Sequence, residues 1–231
     1  MKWKPHFFAY KTAKFIAKVL LLFILASVAW TLIYKYINPP TTFTMLADSN
    51  GATRQWRSLD KITPHMARAV IAAEDSKYCS HNGFDQEAIR KAIKYNAKGG
   101  RIRGGSTISQ QTAKNVFLWQ GGGYVRKALE AWFTFLIERT WGKRRIMEIY
   151  LNVAETGIGT YGANAGAQRY FDVMASDLSR IQAARIAAIL PLPKKRGAKA
   201  PKGFTRRYGR TIAARINIVK RDRLDACVLE K

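Results

Sequence analysis

Apolar and polar positions divide the chain into an anchor and a helical domain. Val19 to Tyr34 reads VLLLFILASVAWTLIY, with no charge. Extended to Phe15 and Ile37, with Lys18 and Lys35 snorkelling near its ends, the run is about 23 residues and spans roughly 34 Å as a helix, enough to cross a bilayer. Pro39-Pro40 ends it. Next, strand-like TFTML and ATRQW flank Asn50-Gly51, which predicts a small hairpin.

Helical spacing then takes over. Thr63-Pro64 reads as a helix start; Met66, Val70 and Ala73 follow it, so Glu74 falls near that helix's C-terminal end. Asp85 is placed to cap a second helix with Ile89 and Ile93 on one face, running out in NAKGGRIRGG, a stretch expected to be mobile. Ser106 is read as the cap of a third. A fourth spans about Tyr124 to Trp141, with Val125, Leu129, Trp132, Phe133, Leu136 and Ile137 as its apolar stripe, and stops at Gly142. A fifth carries Ile146, Ile149, Tyr150 and Val153, and YGANAGAQRYF reads as a sixth. SDLSRIQAARIAAIL reads as a seventh, capped by Ser176 and stopped by Pro191, and a last basic helix covers about Thr205 to Leu224. There is no internal repeat and little strand signal. The pattern predicts a mainly α domain over 38–231, on an anchor at 15–37 and a basic tail at 1–14.

Charge narrows the partners. The 231 residues suffice for one well-buried domain, and 48% hydrophobic residues exclude wholesale disorder. Forty Lys and Arg stand against 15 Asp and Glu, a net charge of +25. That implies an anionic partner: nucleic acid, anionic lipid or a phosphorylated substrate. Lys2, Lys4, Lys11, Lys14 and Lys18 precede the apolar run, with no acid before Asp48. Positive flanks stay in the cytoplasm, which puts the bulk of the chain outside it and argues against nucleic acid. The alternative is a cleaved signal peptide, with Ser27-Val28-Ala29 as its cleavage site; apolar residues continuing through Trp30, Leu32 and Ile33 favour an uncleaved anchor. Cys79 and Cys227 show no metal spacing. An oxidising exterior would permit their pairing, but two separate buried thiols is the simpler reading.

Against this basic background, AAEDSKYCSHNGFD gathers Glu74, Asp75, His81 and Asp85. It lacks the two-His helical spacing of a zinc hydrolase and the acid spacing of a calcium loop. Asp85 reads as a helix cap; a catalytic Glu74 would require a cleft. In GGRIRGGSTISQQTAKN, glycines run into a Ser-Thr helix start, where free N–H groups and the positive dipole end favour an anion. Gly105 and Ser106 follow Gly104 where a nucleotide loop needs Lys then Ser or Thr, so nucleotide binding is disfavoured. Thr107, Gln111 and Lys114 share one helical face, which fits a substrate groove and a solvated side equally well. Glu130, one turn after Arg126, reads as an intrahelical ion pair. Ser58-Leu59-Asp60-Lys61 and Ser80-His81-Asn82 match elements of penicillin-binding enzymes, but no Lys-Thr-Gly exists, and they are read as chance.

Taken in order, these segments resemble the peptidoglycan glycosyltransferases of family 51, most closely the monofunctional, biosynthetic, membrane-anchored type. The resemblance runs from about Asn38 to the C-terminus. It rests on Glu74, Asp75, Tyr78, His81 and Gly83; on Gly104, Gly105, Ser106, Thr107, Gln110, Gln111, Lys114 and Asn115; on Arg126, Lys127 and Glu130; on Glu148, Tyr150, Leu151 and Asn152; and on GANAGAQRYF. It implies a lysozyme-like, mainly α glycosyltransferase domain. The implied reaction polymerises lipid II into β-1,4-linked glycan with inversion, releasing undecaprenyl diphosphate. By resemblance Glu74 is the general base and Lys114 binds the diphosphate, with Arg126 and Lys127 nearby. His81, Thr107 and Gln111 line the donor side. Asp75, Gly83, Gly104, Gly105, Ser106 and Asn115 complete the motifs. Glu130 matches a second essential glutamate, which either orients basic groups or holds a divalent ion, magnesium or manganese, at the diphosphate; no organic cofactor is implied.

The implied partners are lipid II, the lipid-linked glycan chain and the membrane, with transpeptidases and division or elongation proteins beside it, and no nucleic acid. The implied location is the bacterial inner membrane, single-pass, with the domain on the periplasmic side. The alternative is a lytic or hydrolytic muramidase-type enzyme on the same fold. One position departs from the pattern: eight residues after Lys114, where the family often has Arg, stands Gly122. The tract from Pro191 to Arg223 holds twelve Lys and Arg against one acid; it reads either as a face for anionic headgroups or as a solvated basic face.

Overall fold

The computed structural model describes residues 5–97, 99 and 104–230. The chain separates into two units, Met1–Asn38 and Pro39–Lys231. The first is a single helix, α1 (Pro5–Tyr36). Within it Tyr10–Tyr36 is long and apolar enough to cross a membrane, at a rise of about 40 Å. Phe15, Leu22 and Leu25 are each more than half exposed.

The second unit is mainly α. Its helices are α2 (Phe43–Leu46), α3 (Pro64–Glu74), α4 (Gln86–Asn96), α5 (Ile108–Phe117), α6 (Gly123–Thr140) and α7 (Gly142–Val153), then α8 (Gly162–Phe171), α9 (Arg180–Ile189), α10 (Gly203–Arg221) and α11 (Ala226–Leu229). A small sheet has β1 (Thr53–Arg54) parallel to β3 (Thr160–Tyr161), and β2 (Glu155–Gly157) antiparallel to β3 on its other side. Two packed groups build the core: α3, α9 and α10, and α5, α6 and α7; α8 contacts both α7 and α9. α9 packs closely because Ala183, Ala184, Ala187 and Ala188 are small, and they are buried with Ile186 and Ile189. Each such fully buried Ile stabilises by about 1.5–3 kcal/mol. In the second group Phe117 stacks on Phe133 at 4.4 Å between centroids, with Trp141 at 5.8 Å from Phe117.

Several local expectations are corrected. The hairpin does not form. Phe43–Leu46 coils into α2, because Thr42 accepts from the Met45 amide (3.3 Å) and Met45 is buried. The Asn50-Gly51 turn exists, held by Asp48, but Thr53 then pairs with distant Thr160. Thr63 precedes α3 as expected, with Pro64 in the first turn, yet makes no capping bond. Thr107, not Ser106, caps α5, and Ser179, not Ser176, caps α9; each forms a reciprocal box with a glutamine three residues on. Val125 and Ile93 leave their predicted stripes and are exposed; α4 buries none of its residues. Asp85 does cap α4, accepting from the Ala88 amide at 2.9 Å. The stretch expected to be mobile falls largely outside the described residues. Cys79 and Cys227 are not separate thiols: they are joined in a disulfide. The reason is that α11 docks beside the 3₁₀ turn at 78–80, a closeness that arises only in the folded chain.

Candidate active site

The site is built where α3 ends against the start of α5. Glu74 is the last residue of α3 and Asp75 its C-cap. Asp75, 6% exposed, accepts from the Ile108 amide at 3.0 Å and from His81 Nε2 at 2.9 Å; a carboxylate only accepts, so His81 is the donor. Thr107 is equally committed. It accepts from the Gln110 amide and donates to the Gly83 carbonyl at 2.6 Å. Gly83 must be glycine: its φ is +87°, and a Cβ there would lie 2.8 Å from Thr134 Cγ2.

These bonds change the reading of the α5 N-terminus. Three of the amides expected to await a substrate anion, those of Thr107, Ile108 and Gln110, are occupied within the protein by Gln110, Asp75 and Thr107. His81 and Thr107 therefore have structural partners, which lock the end of α3, the 78–83 turn and α5 together. Gly105 packs tightly on α4, where a Cβ would lie 3.3 Å from the Ala88 carbonyl oxygen.

The face of α5 one turn further on is what meets Glu74. Gln111 Nε2 donates to Glu74 Oε2 at 2.8 Å, while Tyr150 Oη donates to Gln111 Oε1 at 3.3 Å. Burial pushes the Glu74 carboxyl above its usual range; the Gln111 bond opposes that, the Asp75 charge adds to it, and the Arg196 and Lys114 charges oppose it. Glu74 borders a hollow of about 400 Å³ with Ser76, Arg215 and Ile218. Gln111 lines a second hollow of about 200 Å³ with Lys114, Asn115, Tyr150 and Glu155. One glutamine thus touches the carboxylate on one side and the lysine's cavity on the other.

A cationic cluster stands beside that second hollow. Burial lowers the Lys114 pKa; the Glu130 charge opposes this, and the Arg126 and Lys127 charges add to it. Glu130 is 2% exposed on α6. Arg126 Nη1 donates to its Oε2 at 2.5 Å and Lys127 Nζ to its Oε1; Lys127 Nζ also reaches Ser106 Oγ at 3.2 Å. The intrahelical pair expected from sequence is therefore a triad. With both Glu130 oxygens so engaged, and no group of three or more His, Cys, Asp or Glu fit to hold a metal among the described residues, this donor set does not fit a protein-held divalent ion. Gly122, just before α6, has φ +88°; a Cβ there would lie 2.7 Å from Trp119 Nε1 and 2.9 Å from Arg126 Cβ. The backbone leaves no room for an arginine, and Arg126 folds back to the Gly121 carbonyl instead.

Sequence reasoning passed over four side chains. Tyr150 lay inside a quoted motif without a role. Tyr208 donates to the Ala73 carbonyl at 2.8 Å and ties α10 to the end of α3. Arg196, whose charge acts on Glu74, donates to the Ala188 carbonyl at 3.1 Å and lies over Phe204; nothing set it apart within its basic run. Glu155 reaches the Lys114 hollow through β2, an element with little sequence signal. Asn152 and Glu148 instead pin the 57–59 segment to α7: Asn152 Oδ1 accepts from the Arg57 amide and Glu148 Oε2 from the Leu59 amide.

Comparison with known proteins follows the same outline. The sequence model of the Transglycosylase family matches residues 41–217. A biosynthetic peptidoglycan transglycosylase of Caulobacter vibrioides is 51% identical over 211 residues, covering 90% of this chain and 92% of the relative. Proteins of the same description from Rhodospirillum centenum and Xanthomonas campestris are 45% and 47% identical over 218 and 214 residues, covering 93% and 88% of this chain and 94% and 87% of their own.

Proposed function

The chain belongs to the Transglycosylase family, and on that premise we propose how its residues divide the work of glycan polymerisation. It is a peptidoglycan glycosyltransferase, and the hydrolytic alternative finds no support in the biosynthetic relatives. The substrates are lipid II and the lipid-linked glycan chain. Glu74 accepts the proton of the 4-hydroxyl on the incoming sugar, as that oxygen attacks the anomeric carbon of the donor from the face opposite the diphosphate. The new C–O bond is β-1,4. The old C–O bond breaks with its electron pair leaving on the diphosphate, which needs no protonation.

The observation that carries this reading is the Gln111 bridge between Glu74 and the Lys114 cavity. A general base must reach the hydroxyl proton and be ionised to take it. Burial raises the Glu74 pKa toward the working pH, and the Gln111 donor keeps the charged form accessible. The departing diphosphate gains negative charge in the transition state, so fixed cations beside it supply the largest electrostatic contribution. Lys114 lines that place. Arg126 and Lys127 are held toward it by Glu130, which acts as an orienting residue. His81 and Thr107 support the site from behind, through Asp75 and Gly83.

We further propose that Tyr10–Tyr36 anchors the chain in the bacterial inner membrane with the domain on the periplasmic side, and that transpeptidases work beside it, cross-linking what it polymerises. The test is incubation of the purified full chain with lipid II. Polymer formation supports the reading; cleavage of finished glycan without extension of lipid II contradicts it.

A further inference from the structure

A hollow of about 700 Å³ lies apart from the one that Glu74 borders. It lies between α9, α10 and the segment 199–202, and six basic side chains line it: Arg180, Arg185, Lys199, Lys202, Arg206 and Arg210. No carboxylate lines it. Its floor is apolar, made by Ile181, Ala213 and Ala214. Gly209 and Ala213, one turn apart on α10, line the hollow as small residues, and a Cβ at Gly209 would meet Arg185 Cγ and Ala188 Cβ at 3.8 Å.

What sets the charge here apart is its clustering: elsewhere in the domain Lys114, Arg196, Arg207 and Arg215 also form no ion pair among the described residues, whereas many other basic groups are paired. Arg68, Lys77, Lys91, Arg126, Lys127, Lys143, Arg144, Arg145, Lys194, Arg221 and Arg223 all have an acidic partner. Among the described residues none of the six around this hollow forms an ion pair. Arg206 and Arg210 stand one turn apart, where like charges repel. Arg180 donates to the Ala213 carbonyl (3.2 Å), which fixes its guanidinium at the rim. Six cations gathered without a counter-charge are complementary to an external anion.

We infer that this groove binds the headgroup phosphate of an anionic phospholipid. A solvated anion would use the cationic rim alone. A lipid headgroup also brings a glycerol and the start of its acyl chains, which match the apolar floor. The connectivity of the chain supplies such a lipid. The apolar helix α1 ends at Tyr36, and the domain unit begins at Pro39, so a membrane-inserted anchor keeps the domain beside a bilayer surface. The inference rests on that reading of α1.

The experiment places the full chain in nanodiscs of phosphatidylcholine alone or mixed with phosphatidylglycerol, and follows amide hydrogen exchange over 199–214. The expected result is protection in the anionic discs, absent in the neutral ones and lost in the double variant R206Q/R210Q. Both arginines are exposed, and polymer formation from lipid II by that variant in neutral discs should match the parent, which separates this site from the catalytic one. Equal protection in both discs, or protection that survives the double substitution, overturns the inference. Protection produced in neutral discs by inorganic phosphate overturns the headgroup assignment. Failure of the chain to enter discs at all would instead refute the anchor reading on which it rests.

Discussion

Gln111 Nε2 donates to Glu74 Oε2 at 2.8 Å, joining the first turns of α5 to the last residue of α3. The bond has a definite electrostatic sign. It favours the ionised carboxylate, whereas burial favours the neutral one. The base works only when ionised, so kcat/KM should fall as pH falls through its folded-state pKa. That acid limb should lie above 4.5, the ordinary value for a glutamate. Replacing Gln111 with Ala removes the opposing donor and should move the limb to higher pH. A pH–rate profile of glycan polymerisation checks this; a limb that stays in place or moves down contradicts the role given to Gln111.

Gly122 makes the opposite prediction from simple pattern matching. Restoring the family's frequent arginine there should not improve the enzyme. A side chain at φ +88° costs about 1–3 kcal/mol of backbone strain, and its Cβ would collide with Trp119 and Arg126. Gly122→Arg should therefore lower Tm by several degrees, at about 2–4 °C per kcal/mol for a chain of this size, and reduce polymer yield. Calorimetry and a polymerisation assay together decide it; a more active, equally stable variant would contradict the geometry.

The bond between Cys79 and Cys227 closes a loop with a sequence separation of 148. Removing a disulfide of that kind costs about 2–5 kcal/mol. The double variant Cys79→Ser/Cys227→Ser should unfold at a lower temperature than the parent, and reductant should lower the Tm of the parent but not of the variant. The segment 224–229 should exchange its amides first. Without the disulfide its ties to the rest of the domain include the Arg68–Asp225 pair at 2.6 Å, the Arg144 bond to the Val228 carbonyl, the Leu224 amide bond to the Val219 carbonyl and the buried Val228 side chain. Equal melting with and without the bond would show that α11 docks by packing alone.

Helical period and caps were legible in the sequence wherever one face is apolar and the neighbours are local. The spacing of Met66, Val70 and Ala73 correctly placed Glu74 at a helix end, and Asp85 read as a cap because that bond spans three residues. What failed was non-local. Thr53 pairs with Thr160, Cys79 with Cys227, and Asp75 fills the amides at the start of α5. Caps slipped by one residue at Ser106 and three at Ser176, because serine-rich stretches offer several equivalent starts and the glutamine partners at 110 and 182 decide among them. In the site, the motif residues came from the sequence pattern, but only the folded chain shows that Glu74, Gln111, Lys114 and His81 border hollows while Thr107 is buried. Arg196 and Tyr208 carried no local signal.

The most direct test of the account is a rate comparison between the parent chain and Glu74→Gln on lipid II. The amide matches the carboxyl in size and can still bond Gln111, but it cannot take a proton. The account predicts a polymerisation rate lower by about 10²–10⁴-fold, with retention of the lipid-linked donor, measured by equilibrium binding in the same detergent, unchanged. A Glu74→Gln rate within about tenfold of the parent, less than that contribution, would contradict the assignment of Glu74 as the base.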